Sequence, residues 1–489
     1  MKVVRNTFLY IFMLFIIVIL CMNVFNFYVA SSSFKDIFCA VIYLSFVSLI
    51  VFYIWKTKNI EGKKSLIILL SLIVMGFIIR LLYAFYVKCE PISDYETMRR
   101  SALYVAKGDF SPFGQHTYFH RFVHMTNFTL VCGFLFKLFG TNIFVVKLVS
   151  IIISCLCIYI MYLIGKKLSD ERLGLTISAI YTFFIPSIAY TSVFTSENFA
   201  MPFLLMSLYF VISAYKKEKL KNTIIEMLFA GIFLAFGCLF RGVAPFYLCA
   251  YVIATLTVFA KKTKLLGALS LLVAFFTMYN AVSLSLYHTG ITSYKLTDGD
   301  VPFTIYMLVG FNFETGGMFS AEDQGIYYEV NQDKDKMAKV VKERLIKRIK
   351  ENPHKIIPLM FKKTNTIYGY GEFNSVYWSY DNNGNEGEKP NISIFYRTAS
   401  LYYIALLILT LYGLVFTKKK SLYCIFALMI LGFEAGLMLM EVQPRYTYSV
   451  AYVFVICASM AICEMKTKPI SEIIKKRLIN GGKKDEKIS

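Results

Sequence analysis

The chain has 489 residues, of which 57% are hydrophobic and 17% aromatic, and its formal net charge is +21. Apolar stretches long enough to cross a bilayer recur along it, which excludes a soluble single domain and predicts a polytopic all-α membrane protein. The basic residues lie in short clusters between the apolar runs, so the charge indicates membrane topology and not nucleic-acid binding.

The N-terminal region predicts two membrane helices, at residues 7–29 and 37–55. The first apolar run is too long for a signal peptide and no small-residue cleavage site follows it, so we expect a retained helix. The short basic loop 55–64 is expected to be cytoplasmic. Residues 1–64 then form an N-terminal unit, and a third helix at 65–87 leads outward.

The stretch CEPISDYETMRR, residues 89–100, is the first polar segment outside. Ser93 and Glu96 match a capping box, in which each side chain bonds the backbone N–H of the other. We expect a helix resting on the membrane through about Lys107 and ending at Gly108. Asp94 is not needed for this cap and is therefore a candidate for chemistry.

The apolar segment 125–139 is short for a span, and if it crossed the membrane, four later basic clusters would face outward. We interpret it as a helix in or dipping into the outer interface, within an outer loop at 88–142. The remaining predicted spans are 143–164, 173–192, 199–214, 223–240, 244–260, 265–287, 395–416, 422–440 and 446–463, about twelve in all.

Three further units complete the predicted organisation: a core at 65–287, a large outer loop at 288–394, and C-terminal helices at 395–463 before a basic cytoplasmic tail at 464–489. Within the large loop, 336–353 is a basic amphipathic helix, either a surface helix on anionic headgroups or a lipid-phosphate site. The aromatic, turn-rich stretch 369–390 suits a cap over a cavity.

Several acidic residues lie at or near predicted outward helix ends. Glu197 begins a helix that Thr195 or Ser196 could cap. Glu434 lies within a predicted span, where an ionisable residue is costly unless it is paired or faces water. Glu441 lies seven residues later, which would place it on the same helical face, with Pro444 ending that helix. We interpret this face as a pocket wall.

Cations on the same side could hold a phosphate. Arg80 and Arg241 are expected at headgroup depth, and Lys147 fits snorkelling equally well. His116, His120 and His124 have the spacing of one helix face, but the surrounding sequence favours other roles, and no metal site is predicted. The eleven cysteines show no zinc spacing and are read as core filler. No P-loop is present, which argues against a nucleotide-driven pump.

Taken in order, these motifs resemble the GT-C membrane glycosyltransferases, such as protein O-mannosyltransferases and lipid A aminoarabinose transferases, which use polyprenyl-phosphate-linked sugars. The resemblance rests on Asp94 with Ala106 and Gly108, on Pro186 before Ser196-Glu197, on G-x-N-x-x-T-G-G at 310–317, and on E-x-Q-x-R-Y at Glu441, Gln443, Arg445 and Tyr446. It implies Asp94 as catalytic base and Glu197 as a second acidic site residue.

The resemblance also implies the rest of the site. A polyprenyl phosphate leaves as a stable anion, so one carboxylate suffices and cations balance the leaving group. The predicted substrate-binding residues are Arg80, Arg241, Lys363, Glu434, Glu441, Gln443, Arg445 and Tyr446. No cofactor is predicted, and a requirement for a divalent metal stays open.

The expected partners are a polyprenyl-phosphate sugar, membrane lipids, and an acceptor that is a glycopolymer, a glycolipid or a protein. Tyr95 follows Asp94 where protein O-mannosyltransferases typically have Glu, which favours the first two acceptors. The composition suggests a bacterial protein of the plasma membrane. The predicted topology puts the site on the extracytoplasmic side, and the resemblance implies transfer with inversion. The alternatives are a lipid-linked glycan polymerase or ligase, and a polyprenyl-linked sugar flippase or transporter.

Overall fold

The computed structural model describes residues 2–30, 33–259, 263–380, 392–417 and 420–465. Within these ranges the regular elements are helices and no strand is present, which confirms the all-α prediction. The basic tail lies outside the described residues from position 466 onward, as do residues 381–391 of the predicted cap.

Three long helices and a group of short ones form the first part of the chain. These are α1 (Lys2–Val29), α2 (Phe34–Lys56), α3 (Lys63–Val87), α4 (Ser93–Ala106), α5 (Tyr118–Arg121) and α6 (Thr126–Phe139), with 3-10 turns at Ser111–Phe113 and Val123–Met125. Helix α6 packs closely on α4, because a Cβ at Gly133 would lie 2.4 Å from the Cβ of Val105. The short apolar helix therefore packs directly on the helix that carries Asp94.

The central helices pack sequentially. They are α7 (Ile143–Leu168), α8 (Glu171–Thr182), α9 (Ile185–Ala189), α10 (Glu197–Tyr215), α11 (Leu220–Phe240), α12 (Ala244–Val258) and α13 (Lys264–His288), with a 3-10 turn at Tyr190–Ser192. Helix α10 contacts both α7 and α11, and α11 contacts α13. As a result, the start of α10 and the end of α11 are neighbours.

The large outer loop and the C-terminal helices complete the fold. They comprise α14 (Thr304–Gly310), α15 (Ala321–Glu329), α16 (Lys334–Glu351), α17 (Ile356–Tyr368), α18 (Ser375–Tyr380), α19 (Ser393–Phe416), α20 (Lys420–Leu439) and α21 (Tyr448–Met465), with 3-10 turns at Pro353–Lys355 and Pro444–Thr447. Helices α14, α15 and α16 enclose a small apolar cluster of their own around Leu308, Ile326 and Val341.

Ten helices in the described ranges are long and apolar enough to cross a membrane, or eleven if the bent pair 171–182 and 185–192 is one span. The predicted count of twelve is therefore not confirmed. One difference is α12, which has 15 residues. At 1.5 Å per residue it is ~22 Å long, shorter than the ~30 Å hydrocarbon core.

The bent pair corrects the prediction of one helix over 173–192. Helix α8 ends at Thr182 and α9 begins at Ile185, with a bend of 62° between them. The predicted helix 173–192 would have Pro186 in its interior. In the structure Pro186 is in the first turn of α9, where its missing N–H costs no hydrogen bond.

Arg80 supports this break. Its guanidinium is 0% exposed and donates to the Ser154 hydroxyl at 2.8 Å and the Ser187 hydroxyl at 2.8 Å. It also donates to the carbonyls of Gly76 and Thr182, both at 3.1 Å. These acceptors lie on α3, α7, α8 and α9. The structure does not support the predicted phosphate contact of Arg80, because its donors bind the protein itself.

Contacts between distant segments define two ends of the bundle. At one end, Arg5 donates to Ser421 at 2.6 Å and Arg172 to the Thr57 carbonyl at 2.7 Å. These positions adjoin the basic clusters, so the positive-inside rule predicts that this end is cytoplasmic. The opposite end carries α4, α5, α6 and the large loop, with every candidate residue except Arg80 and Glu434 near it.

Candidate active site

Asp94 lies in the first turn of α4, but the predicted capping box is wrong. Ile92 is the N-cap and no side chain caps the helix. Ser93 has φ +51°, and the Glu96 carboxylate pairs with Arg99 at 2.6 Å and Arg100 at 2.6 Å. Two arginines one turn later attract Glu96 more strongly than a backbone N–H, and the pKa of Glu96 is lowered chiefly by the Arg99 hydrogen bond. The helix ends at Ala106 and Gly108 has φ +83°, close to the predicted end.

The half-buried Asp94 contacts Tyr118 of α5. The pKa of Tyr118 is raised first by burial, then by the charge of Asp94 and a hydrogen bond to it. The phenol therefore stays protonated and donates, and the Asp94 carboxylate accepts. Tyr118 was not predicted, and it lies 24 residues from Asp94 with no local signal linking them.

Glu197 and Arg241 form a buried ion pair. The Glu197 Oε1 and Arg241 Nη1 atoms are 3.3 Å apart, and the two side chains are 0% and 4% exposed. The Thr195 hydroxyl donates to the other Glu197 oxygen, so neither Thr195 nor Ser196 caps α10 as predicted. Glu197 begins α10 and Arg241 follows α11, so the pairing follows from the packing of these two helices.

Arg445 connects the acidic groups to an aromatic wall. Its Nη1 donates to the Tyr95 hydroxyl at 2.8 Å, and its guanidinium lies 5.7 Å from the Trp378 ring centroid. The Tyr95 and Trp378 rings meet edge to face at 5.0 Å. Burial raises the pKa of Tyr95 to about 12, with Arg445 opposing it. The charges of Glu197 and Asp94 both act on Arg445, which places all three side chains in one cluster.

The segment 441–446 brings the remaining polar residues to the cluster. Gln443 donates to the Glu441 carboxylate at 2.9 Å, and the Tyr446 hydroxyl does so at 3.4 Å. Burial raises the pKa of Glu441, which Gln443 and Arg445 partly offset, while the charge of Asp94 raises it further. Glu441, Gln443 and Tyr446 are thus bonded to one another, and the charge of Asp94 acts on Glu441 and Arg445.

Glu441 does not share a helical face with Glu434, so that prediction was wrong. Helix α20 ends at Leu439, five residues before Pro444, and Glu441 lies in the following loop. Glu434 accepts from Thr364 at 2.5 Å and lies near Lys363, away from the cluster around Asp94.

Lys363 is 0% exposed and does not face an open site. Its ammonium donates to the carbonyls of Gly310 at 3.1 Å, Met438 at 2.8 Å and Met440 at 2.7 Å. Three acceptors use all three N–H groups of an ammonium. This geometry favours a structural clamp over the predicted phosphate contact. Lys147 likewise bonds the Cys89 carbonyl at 2.5 Å.

The motif at 310–317 holds the site loop by close backbone packing. A Cβ at Gly310 would lie 2.3 Å from the carbonyl carbon of Met440. Gly316 and Gly317 have φ of +69° and +79°, a region that favours glycine. The backbone N–H of Val442 donates to the Gly317 carbonyl at 2.8 Å. The motif therefore positions Glu441 without contributing a charged side chain.

Unpaired donors surround the cluster. In the described part of the chain, Arg241 Nε, Arg445 Nε and Trp378 Nε1 are buried and have no acceptor. Buried donors are normally satisfied, and guanidinium groups suit phosphate oxygens. The half-buried His124 also faces the arginines, and burial followed by their charges lowers its pKa to about 3, which keeps it neutral.

Residues 127–279 match the family model described as dolichyl-phosphate-mannose-protein mannosyltransferase. The match runs from α6 to α13 and contains Glu197 and Arg241, while Asp94 and 441–446 lie outside it. Over these residues it confirms the predicted resemblance to the GT-C membrane glycosyltransferases. No curated protein matches the chain.

Similar solved structures include the Archaeoglobus fulgidus oligosaccharyltransferase with a disulfide-tethered acceptor peptide, at 15% identity and TM-score 0.46, covering 83% of this chain and 50% of that one. The same enzyme in complex with Zn and sulfate matches at 15% identity and TM-score 0.47, covering 84% and 51%. Archaeoglobus fulgidus AglB in complex with an inhibitory peptide and a dolichol-phosphate matches at 15% identity and TM-score 0.48. The match covers 83% of this chain and 50% of that one. The chain spans about half the length of these proteins.

Proposed function

We propose that this membrane glycosyltransferase moves a sugar from a polyprenyl-phosphate donor to an acceptor hydroxyl, with inversion and with Asp94 as the base. The observation that carries the proposal is a pair of buried arginines, Arg241 and Arg445, that border the Tyr446 ring and whose Nε atoms lack acceptors. The charge of Asp94 acts on Arg445. One carboxylate and a cationic pocket are what a donor with a stable phosphate leaving group requires.

Asp94 is the carboxylate best suited to act as base. Glu197 is committed to Arg241, and Glu441 is held by Gln443 and Tyr446. Asp94 is half-buried and accepts a hydrogen bond from the Tyr118 phenol, and its second oxygen is left to meet an acceptor hydroxyl. A neighbouring donor also orients the carboxylate.

Arg445 and Arg241 are the proposed phosphate ligands. Both are almost fully buried, at 5% and 4% exposed, where charge interactions are stronger than in water. Trp378 and Tyr446 border them and provide faces suited to a sugar or to the first isoprene unit. Lys363 and Arg80 are left out of this role because their donors are bonded to the protein.

In the proposed step, Asp94 takes the proton of the acceptor hydroxyl as its oxygen bonds to the anomeric carbon of the sugar. The bond from that carbon to the phosphate oxygen breaks, and polyprenyl phosphate leaves with the electron pair. Attack opposite to the leaving group inverts the anomeric centre. We propose an extracytoplasmic site in a bacterial plasma membrane, with a glycopolymer or glycolipid acceptor; the positions of the basic clusters support this orientation.

The test uses purified protein in liposomes with radiolabelled polyprenyl-phosphate sugars and membrane-extracted acceptors. We expect Asp94→Asn to lower transfer by about 100-fold or more, the usual range for a lost general base. Glu96→Gln is the matched control, because Glu96 lies on the same turn but pairs with arginines. Its rate should stay within about twofold.

The outcomes separate the alternatives. Retained transfer in Asp94→Asn would exclude Asp94 as the base. Activity only with diphosphate-linked glycans would favour a polymerase or ligase, and movement of the lipid-linked sugar across the bilayer with no covalent product would favour a flippase.

A further inference from the structure

Three side chains of metal-ligand type meet where the two outer loops touch. His116 and His120 come from the first loop and Asp300 from the segment before α14, and their ligand atoms lie within 4.8 Å of one another. The Asp300 Oδ2 atom is 2.9 Å from His116 Nδ1 and 3.6 Å from His120 Nδ1. His124, the third histidine of the sequence cluster, instead faces Arg241.

We propose that His116, His120 and Asp300 form a Zn²⁺ site that joins the first outer loop to the large one. Zinc bonds imidazole nitrogen and carboxylate oxygen at about 2.0–2.2 Å, so tetrahedral ligand atoms lie about 3.3 Å apart. The two separations from the Asp300 oxygen bracket that value, so a cation needs only small side-chain movements to bind.

The surroundings orient the ligands as a metal site requires. His120 Nε2 lies 3.0 Å from the Asp298 carbonyl, which can only accept, so the proton is on Nε2 and Nδ1 carries the lone pair that a metal ligand needs. The His120 ring stacks on Tyr294 with centroids 4.3 Å apart, which fixes its plane. The Tyr327 hydroxyl donates to Asp300 and directs that carboxylate.

A backbone hydrogen bond already joins the two loops at this point. The Asp300 backbone N–H donates to the His120 carbonyl at 2.9 Å. Asp300 and His120 are buried, while the His116 side chain is 51% exposed and provides an open path for a cation and a water ligand. His120 Nδ1 also accepts the backbone N–H of His116 at 3.2 Å, a contact that zinc would replace.

His116 has φ +57°, an uncommon backbone conformation for a residue with a side chain. Backbone strain of this kind persists where the surrounding structure holds it, often at ligand sites. Here the conformation turns the imidazole towards Asp300. An ion pair with Asp300 needs one histidine, whereas two histidines beside one carboxylate are the set of ligands expected for a metal.

The site has a consequence for α5. The same four-residue helix carries His120 and Tyr118, and Tyr118 contacts Asp94. A zinc ion on His120 would therefore fix the helix that orients Asp94, without touching the reacting atoms. The zinc site does not depend on the proposed sugar transfer, and its binding can be measured without any donor.

The experiment measures zinc binding to the full chain, purified through a tag without histidine and stripped with a chelator. We expect equilibrium dialysis at micromolar free zinc to give one Zn²⁺ per chain. X-ray absorption should show two imidazoles and one carboxylate at about 2.0–2.2 Å. Zinc should also raise the apparent melting temperature of the wild-type protein.

The variants His116→Ala and Asp300→Asn should each weaken zinc binding at least tenfold and abolish its effect on melting. His288→Ala is the matched control, because His288 is exposed at the end of α13 and outside the cluster. Circular dichroism and gel filtration confirm that each variant is folded, and His116, being exposed, can be removed with little loss of packing. No zinc bound by the wild type, or full binding in both variants, would overturn the proposal. Loss of zinc in His288→Ala would do the same.

Discussion

Lys363 offers a direct test of whether a buried cation serves the fold or the substrate. Its ammonium is fully buried and bonds three backbone carbonyls, two of which lie at the end of α20. The C-terminal end of a helix attracts a cation. Replacing it in Lys363→Met keeps the length of the side chain and removes all three donors.

The expected loss of stability follows from the three backbone carbonyls that lose their donor. Each buried carbonyl without a donor costs about 1–3 kcal/mol. The substitution also removes the cost of burying the charged ammonium, which is several kcal/mol and stabilises the variant. A net loss of about 3 kcal/mol is therefore expected. Because the unfolding entropy of a chain of this length is about 1 kcal/mol per kelvin, the melting temperature should fall by about 3 °C.

The assay is thermal unfolding in detergent, followed by intrinsic fluorescence at a fixed scan rate, together with the KM for the lipid-phosphate donor. Lys362→Met is the matched control, since the adjacent Lys362 is exposed. Its melting temperature should change by less than 1 °C, about the effect of a surface substitution. An unchanged melting temperature in Lys363→Met, combined with a raised KM for the donor, would refute the clamp and restore the phosphate role.

Two further outcomes can be measured on the same part of the molecule. Burial lowers the pKa of Lys363 to about 7 from 10.5, so the three-donor clamp is complete only below about pH 7, where the melting test of Lys363→Met is to be run. Between pH 7 and 10.5 the folded amine is neutral and keeps two N–H donors, while the unfolded chain binds one more proton. The stability of the wild type relative to Lys363→Met should therefore rise by about 1.4 kcal/mol per pH unit from about pH 8 to 10, and fall as the pH drops towards 7; a difference that is flat across this range would contradict the burial argument. Gly310→Ala should destabilise the protein by about 2 kcal/mol or more, because its Cβ would lie 2.3 Å from Met440, whereas a Cβ at Gly325 meets nothing within 4 Å. Gly325→Ala, in α15, should be neutral or stabilising, and equal melting temperatures for the two variants would show that the backbone at 310 can move.

The sequence predicts the helical class, which the structure confirms, because that class depends on hydropathy. The outward position of the acidic motifs rests on the charge pattern and stays a prediction. The prediction from sequence fails on the cap of α4, although Glu96 has arginines three and four residues later, which is a readable signal. The sequence does not predict that Lys363 is buried. Its burial depends on contacts with Gly310 and Met440, which lie more than 50 residues away on either side. Twelve spans were predicted because a run such as 244–260 is apolar, but apolarity does not set helix length.

The side chains around Asp94 bear on the proposed binding of a phosphate. Asp94, Glu197 and Glu441 meet Arg241 and Arg445, and Glu197 already takes Arg241 on one face. Arg241 and Arg445 still have buried Nε donors without acceptors, while burial raises the pKa of Glu441 and so favours its neutral form. A phosphate entering this cluster would accept from the unused Nε donors of Arg241 and Arg445, which leaves Asp94 to accept the proton of the acceptor hydroxyl in the proposed reaction.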